Sequence, residues 1–128
     1  MDPVPLRGLN VLVVDDDSRV CALYAIVLRE AGAAVTACGL ATEALQLAEL
    51  DRPDVVVTDL RMPGHDGIWL LQQLKSRLPA IPVIVVTGAS DAPSPDHLKS
   101  LGFATMLRKP LVLSHLTAAV AHVARPTD

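Results

Sequence analysis

Aromatic side chains are scarce in this chain: Tyr24, Trp69 and Phe103 are the only three among 128 residues. They leave little surface for stacking nucleobases. Positive charge is not in excess either. The net charge is −3, which provides no basic footprint, so no nucleic acid is expected as a direct partner. No apolar run approaches the roughly 20 residues of a membrane helix, so no direct membrane contact is expected. Met1 to Leu9 has no apolar core behind a basic start, and a signal peptide is not supported. Cysteine is limited to Cys21 and Cys38. Their spacing fits no metal motif, and they read as plain thiols in a reducing compartment, with the cytoplasm as the expected location. Internal repeats and low-complexity blocks are missing too.

What is present is apolar. Hydrophobic residues make up 51% of the chain and the mean hydropathy is +0.40, which argues against disorder. The length suits one domain with one core. Met1 to Gly8 carries Pro3 and Pro5, and residues 1–9 read as a tail or linker. From Asn10 to about residue 124 strand and helix patterns alternate, and residues 125–128 read as a second tail. The strands are expected at Asn10–Asp15, Ala34–Ala37, Val55–Asp59, Val83–Thr87 and Ala104–Leu107. They are short and rich in β-branched residues, as in a parallel sheet buried on both faces.

Helix 1 is expected over Ser18–Ala31, with Val20, Leu23, Tyr24, Val27, Leu28 and Ala31 inward and Gly32 as its stop. Helix 2 spans Ala41–Leu50. Helix 3, capped by Asp66, spans Gly67–Arg77. Ser94 and Pro95 open a short helix 4 that ends by Gly102. Helix 5 spans Leu113–Val123, with Leu116, Ala119, Val120 and Val123 inward. Five βα units with right-handed crossovers give an α/β, doubly wound, five-stranded parallel sheet. The expected strand order is 2-1-3-4-5, the flavodoxin-like arrangement.

Reactive side chains stand at the ends of these strands. Asp15, Asp16 and Asp17 follow strand 1, Asp59 ends strand 3, Thr87 ends strand 4, and Lys109 follows strand 5. Parallel strands all point one way, so these residues gather along one sheet edge, where open α/β folds bind ligands. Each like-charged carboxylate pair at about 4 Å costs about 1–4 kcal/mol. A hard divalent cation relieves that repulsion, and Mg²⁺ is the abundant one. Lys109 and Thr87 add a cation and a hydroxyl donor, a pair suited to a phosphoryl group with a carboxylate as nucleophile.

These residues resemble a known family. Val13-Val14-Asp15-Asp16-Asp17, then Asp59-Leu60-Arg61-Met62-Pro63-Gly64-His65-Asp66-Gly67, then Val85-Val86-Thr87-Gly88, then Lys109-Pro110 is similar to the receiver domain of two-component response regulators. The resemblance covers about Asn10 to Val123. It implies Asp59 as phospho-acceptor, served by a phosphohistidine on a histidine kinase or histidine phosphotransfer protein. It implies Mg²⁺ bound by Asp16 directly, by Asp15 largely through water, by Asp59 and by the backbone carbonyl of Arg61. It implies Thr87 as the hydroxyl that moves toward the phosphoryl group, Lys109 as its cation, and a cis Lys109–Pro110 bond. The chain is then a signalling switch, with only weak self-catalysed phosphorylation and dephosphorylation. Its output surface is the helix 4–strand 5–helix 5 face, its downstream partner is unknown, and it is a monomer or weak dimer.

Two departures stand out. Family members usually carry Tyr or Phe where Met106 stands, with Phe103 as a nearby substitute. Gly102-Phe103 and Met106-Leu107-Arg108-Lys109-Pro110 resemble receivers attached to hybrid sensor kinases more than those of transcription factors. Another class competes. A haloacid-dehalogenase-like phosphatase would use Asp15 as nucleophile, but Arg19 stands where its first motif wants Thr or Val, and no acidic pair follows Lys109. A flavodoxin-like cofactor binder lacks a phosphate loop after strand 1. Trp69 lies off the inward face of helix 3, where a partner contact and chance exposure are both open. His65, His97, His115 and His122 share no metal-like spacing.

Overall fold

A computed structural model describes residues 4–88 and 93–124. Alternating elements run β1 (Asn10–Val14), α1 (Ser18–Glu30), β2 (Ala34–Cys38), α2 (Ala41–Asp51), β3 (Val55–Asp59), α3 (Gly67–Arg77), β4 (Val83–Thr87), α4 (Pro95–Leu101), β5 (Thr105–Arg108) and α5 (Leu113–Ala124). The five strands pair in parallel in the order β2-β1-β3-β4-β5. The expected topology is thus the observed one, with boundaries shifted by a residue or so.

Strand alternation divides the core in two. Leu12, Val14, Val56, Val83 and Val85 face one side, where Leu70, Leu71, Leu74 and Leu98 of α3 and α4 pack with the alanines of α2. Val11, Val13, Val55, Val57, Ile84 and Val86 face the other, under Tyr24 and Leu28 of α1 and Leu116 and Val120 of α5. The central strands β3 and β4 are buried on both faces, which is why they read as unbroken runs of Val and Ile.

Helix starts follow local chemistry. Asp17, Asp66 and Ser94 each accept a backbone N–H of the first turn, from Arg19, Trp69 and His97. Gly102 ends α4 at φ +118°, a conformation that favours glycine.

The structure corrects three expectations. The N-terminal stretch is no loose tail from Val4 onward. Leu6 is completely buried beside Leu28 and Ala31, and its N–H donates to the Ala31 carbonyl at 2.8 Å. The segment crosses Gly32 (φ +108°), where a Cβ would strike Val4 and the backbone of Arg7. The inward stripe of α1 is Cys21, Tyr24, Ala25 and Leu28, and Leu23 faces outward, 45% exposed. This helix has apolar residues on more than one face, so periodicity alone does not decide which stripe turns inward. In α5, Leu116 and Val120 are buried while Ala119 and Val123 are only half-buried. The tail expected at 125–128 lies outside the described residues.

Candidate functional site

The carboxyl ends of β1, β3, β4 and the segment after β5 converge. β1 and β3 are adjacent, with Val14 opposite Thr58, so the acids just beyond them become neighbours. One carboxylate oxygen from each of Asp15, Asp16 and Asp59 lies within 4.8 Å of the others, a group able to hold a metal ion. Their burial differs sharply: Asp15 is 3% exposed, Asp59 is half-buried and Asp16 is open to solvent. Lys109 spans the group. Its Nζ donates to Asp59 Oδ2 at 3.2 Å and lies 3.5 Å from Asp15 Oδ2. A cleft of about 260 Å³ is lined by Asp59, Arg61, Thr87, Gly88 and Lys109.

Local structure sets each of these groups. The Asp17 N–H donates to Asp15 Oδ1 at 2.9 Å, so the start of α1 holds the buried carboxylate in place. Cys21, in the first turns of α1, donates its thiol to the Asp15 carbonyl at 3.2 Å. Asp59 is fixed at the mouth by tight closure of the loop behind it. The Gly67 N–H donates to the Leu60 carbonyl at 2.8 Å. A Cβ on Gly67 would come 2.5 Å from the Asp59 carbonyl oxygen, so only glycine permits this approach. Within that loop Met62 is buried, and His65 stacks on Trp69 with ring centroids 3.9 Å apart. Trp69 itself is half-buried against the core. Lys109 follows β5, its N–H donates to the Thr87 carbonyl at 2.9 Å, and its bond to Pro110 is cis, as the resemblance implied.

The electrostatics of the group follow from burial and from its neighbouring charges. Burial raises the Asp15 carboxyl above its ordinary value. The Asp17 N–H pulls it back, and the charge of Asp59 pushes it up further. Burial by itself would lower Lys109, but the attraction of Asp59 and Asp15 outweighs it and the ammonium is held more firmly than usual. Among the described residues, Thr87 Oγ1 is buried without a hydrogen-bond partner. Such an orphan carries a real cost. It lines the same cleft as Asp59, where a bound oxygen would satisfy it. Cys38, by contrast, is pushed up to about 12 by burial and reads as an inert core thiol.

Every residue singled out in the sequence is therefore at this edge: Asp15, Asp16, Asp59, Thr87 and Lys109 by side chain, and Arg61 at the rim of the cleft. Gly88 was missed. A Cβ there would come 2.9 Å from Lys109 Cβ, so the glycine opens the path along which the lysine reaches Asp59. The signal was the Thr87-Gly88 pair itself, a glycine directly after a strand-end hydroxyl.

With this geometry in hand, comparison with known proteins is decisive about class. The sequence pattern described as the response regulator receiver domain matches residues 11–121. Among curated relatives, the DNA-binding transcriptional regulator NtrC of Escherichia coli K12 is 38% identical over 114 residues, covering 89% of this chain and 24% of that protein. The transcriptional regulatory protein FixJ of Azorhizobium caulinodans is 41% identical over 115 residues, covering 89% of this chain and 54% of that protein. The receiver domain of the Francisella response regulator 1452 superposes with a TM-score of 0.87 at 29% identity, covering 94% of this chain and 100% of that one.

This chain belongs to the receiver domain family of two-component response regulators. It is a signalling switch domain rather than a member of a conventional enzyme family. It spans about a quarter to about half the length of these two relatives. Both are transcriptional regulators, so the lean toward a hybrid kinase finds no support in them. The haloacid-dehalogenase-like alternative has no support either. Asp15, its nucleophile, is buried, with one oxygen engaged by a backbone N–H. No helix among the described residues is long and apolar enough to cross a membrane.

Proposed function

We propose that Asp59 accepts a phosphoryl group from a phosphohistidine on a histidine kinase or histidine phosphotransfer protein, and that the phosphorylated form binds a different partner from the unmodified one. One observation carries this reading. Of the three clustered acids, Asp59 is the one that also lines the cleft shared by Thr87 and Lys109.

The residues fit Mg²⁺. The donors are hard oxygens and the cluster is compact; burial is the main cause that raises the Asp15 carboxyl, the charge of Asp59 adds to it, and a cation would relieve that second part. Asp16, Asp59 and the Arg61 carbonyl would hold the ion, with Asp15 acting largely through water. When bound, the ion supplies charge neutralisation between the acceptor carboxylate and the phosphoryl oxygens.

The chain's own residues do the rest. Asp59 Oδ presents the attacking lone pair, and the phosphorus–nitrogen bond of the donor breaks as the phosphorus–oxygen bond forms. Lys109, already 3.2 Å from Asp59, transfers its hydrogen bond to a phosphoryl oxygen. Thr87 Oγ1 gains the acceptor it lacks. That gain draws the β4 end toward Asp59 and biases the neighbouring α4–β5–α5 face. Met106 stands there half-buried, beside a fully packed Phe103. Met is flexible and fills space without a fixed rotamer. The readout at this face is then a graded repacking of Met106 rather than the swing of an aromatic ring.

The test uses acetyl phosphate as a small donor and intact-mass spectrometry. One phosphoryl adduct is expected with Mg²⁺ and none with EDTA. Equal labelling in EDTA would defeat the metal-assisted reading.

A further inference from the structure

The two edges of the sheet are guarded differently. The β5 edge is short and ends in the exposed Arg108, followed by Lys109, and charges of this kind discourage strand pairing. The β2 edge has no such protection in its own sequence. Ala34, Val35, Thr36 and Ala37 carry no charge, and three of the four are exposed. In a parallel ladder alternate residues turn both backbone groups to the same neighbour. The Ala34 N–H donates to the Leu9 carbonyl, and the Asp15 N–H donates to the Cys38 carbonyl. Ala34, Thr36 and Cys38 therefore face β1, while Val35 and Ala37 turn their N–H and C=O outward.

A group from α1 reaches this edge. Arg29, in the last turn of α1, donates from Nη2 to the Val35 carbonyl at 2.9 Å. That carbonyl is one of the outward acceptors a new strand would need. The guanidinium also sets a full positive charge in the middle of an otherwise neutral edge.

The outward groups are self-complementary. If a second copy is laid antiparallel about a two-fold axis at Thr36, Val35 of each copy faces Ala37 of the other. Each such pair exchanges both of its N–H···O bonds, and Thr36 meets Thr36 of the second copy in a close pair. We propose that Arg29 closes the β2 edge against a second copy of this chain, and that without its guanidinium two molecules join through β2 into one continuous sheet. The proposal goes beyond phosphoryl chemistry and does not depend on it. Arg29 acts as an intramolecular competitor for the Val35 carbonyl, so the receiver remains a single sheet with an edge still competent to pair.

Arg29→Ala, Thr36→Cys and their combination test this directly. Circular dichroism first establishes that each variant is folded. In sedimentation velocity, Arg29→Ala is expected to raise the dimerisation constant by about tenfold or more, because the lost bond involves a charged donor. Adding Val35→Pro removes an outward N–H without touching the β1 ladder, and should return Arg29→Ala to the sedimentation of the wild type.

The two Thr36 Cα atoms across the axis would stand about 4.5 Å apart. That is within the roughly 4.4–6.8 Å a disulfide spans. Copper phenanthroline, as the oxidant, should therefore link Arg29→Ala/Thr36→Cys into covalent dimers much faster than Thr36→Cys alone. Several results would overturn the proposal. Arg29→Ala could sediment like the wild type. The double variant could cross-link no faster than Thr36→Cys. A dimer that persists with Val35→Pro would place the contact on another face or bring in a different occupant.

Discussion

At the scale of single residues, the site trades stability for readiness. Asp15 shows this most clearly. Burial raises its carboxyl above the ordinary value, so the folded state holds that proton more tightly than the unfolded chain does. Its contribution favours folding below the ordinary carboxylate value and is lost as pH rises through the raised one. Asp15→Asn is therefore expected to melt at a higher temperature than the wild type at neutral pH without divalent ions. The gap should close as pH falls into the carboxylate range. Thermal melts across pH check this, and an Asp15→Asn variant less stable than the wild type at neutral pH would contradict it. Thr87 makes the same trade. Its buried hydroxyl has no partner among the described residues, so Thr87→Val is expected to gain about 1 kcal/mol in urea unfolding. The same change should weaken the response of the α4–β5–α5 face to acetyl phosphate.

At the scale of elements, the sequence was legible where one physical cause dominates. β-branched runs buried on both faces marked the central strands β3 and β4, short apolar runs between turn residues marked the edge strands, and the acids past their ends located the site. Ser94-Pro95 and Gly102 bounded α4 because capping chemistry is local. Legibility failed where two causes compete. The prolines near the N-terminus suggested a tail, yet Leu6 joins the buried cluster of Leu28 and Ala31, which no local pattern announces. Leu6→Ala is expected to cost about 2–5 kcal/mol, as for a fully buried leucine. A loss under 1 kcal/mol would mean that the segment rests on the core without supporting it. Gly67 joins an element to the site. With its missing Cβ 2.5 Å from the Asp59 carbonyl oxygen, Gly67→Ala should cost about 1–3 kcal/mol. It should also slow phosphoryl uptake, since either α3 or the acceptor must shift.

At the scale of the whole molecule, five parallel strands turn distant residues into neighbours. The order β2-β1-β3-β4-β5 places β1 beside β3, and this adjacency brings Asp15 and Asp16 against Asp59. The charges then select one another. Lys109 bridges Asp15 and Asp59, and of these two carboxylates Asp59 is the one that lines the cleft. Gly88 was harder to foresee, because its role appears only once the path of the Lys109 side chain is known.

The most direct test locates the phosphoryl group chemically. Protein labelled with acetyl phosphate and Mg²⁺ is reduced with borohydride, which converts an aspartyl phosphate to homoserine, and is then mapped by peptide mass spectrometry. Homoserine at Asp59, and loss of labelling in Asp59→Asn, is the result expected here. Homoserine at Asp15 or Asp16, with Asp59→Asn labelled as well as the wild type, would contradict the assignment of Asp59 as the acceptor.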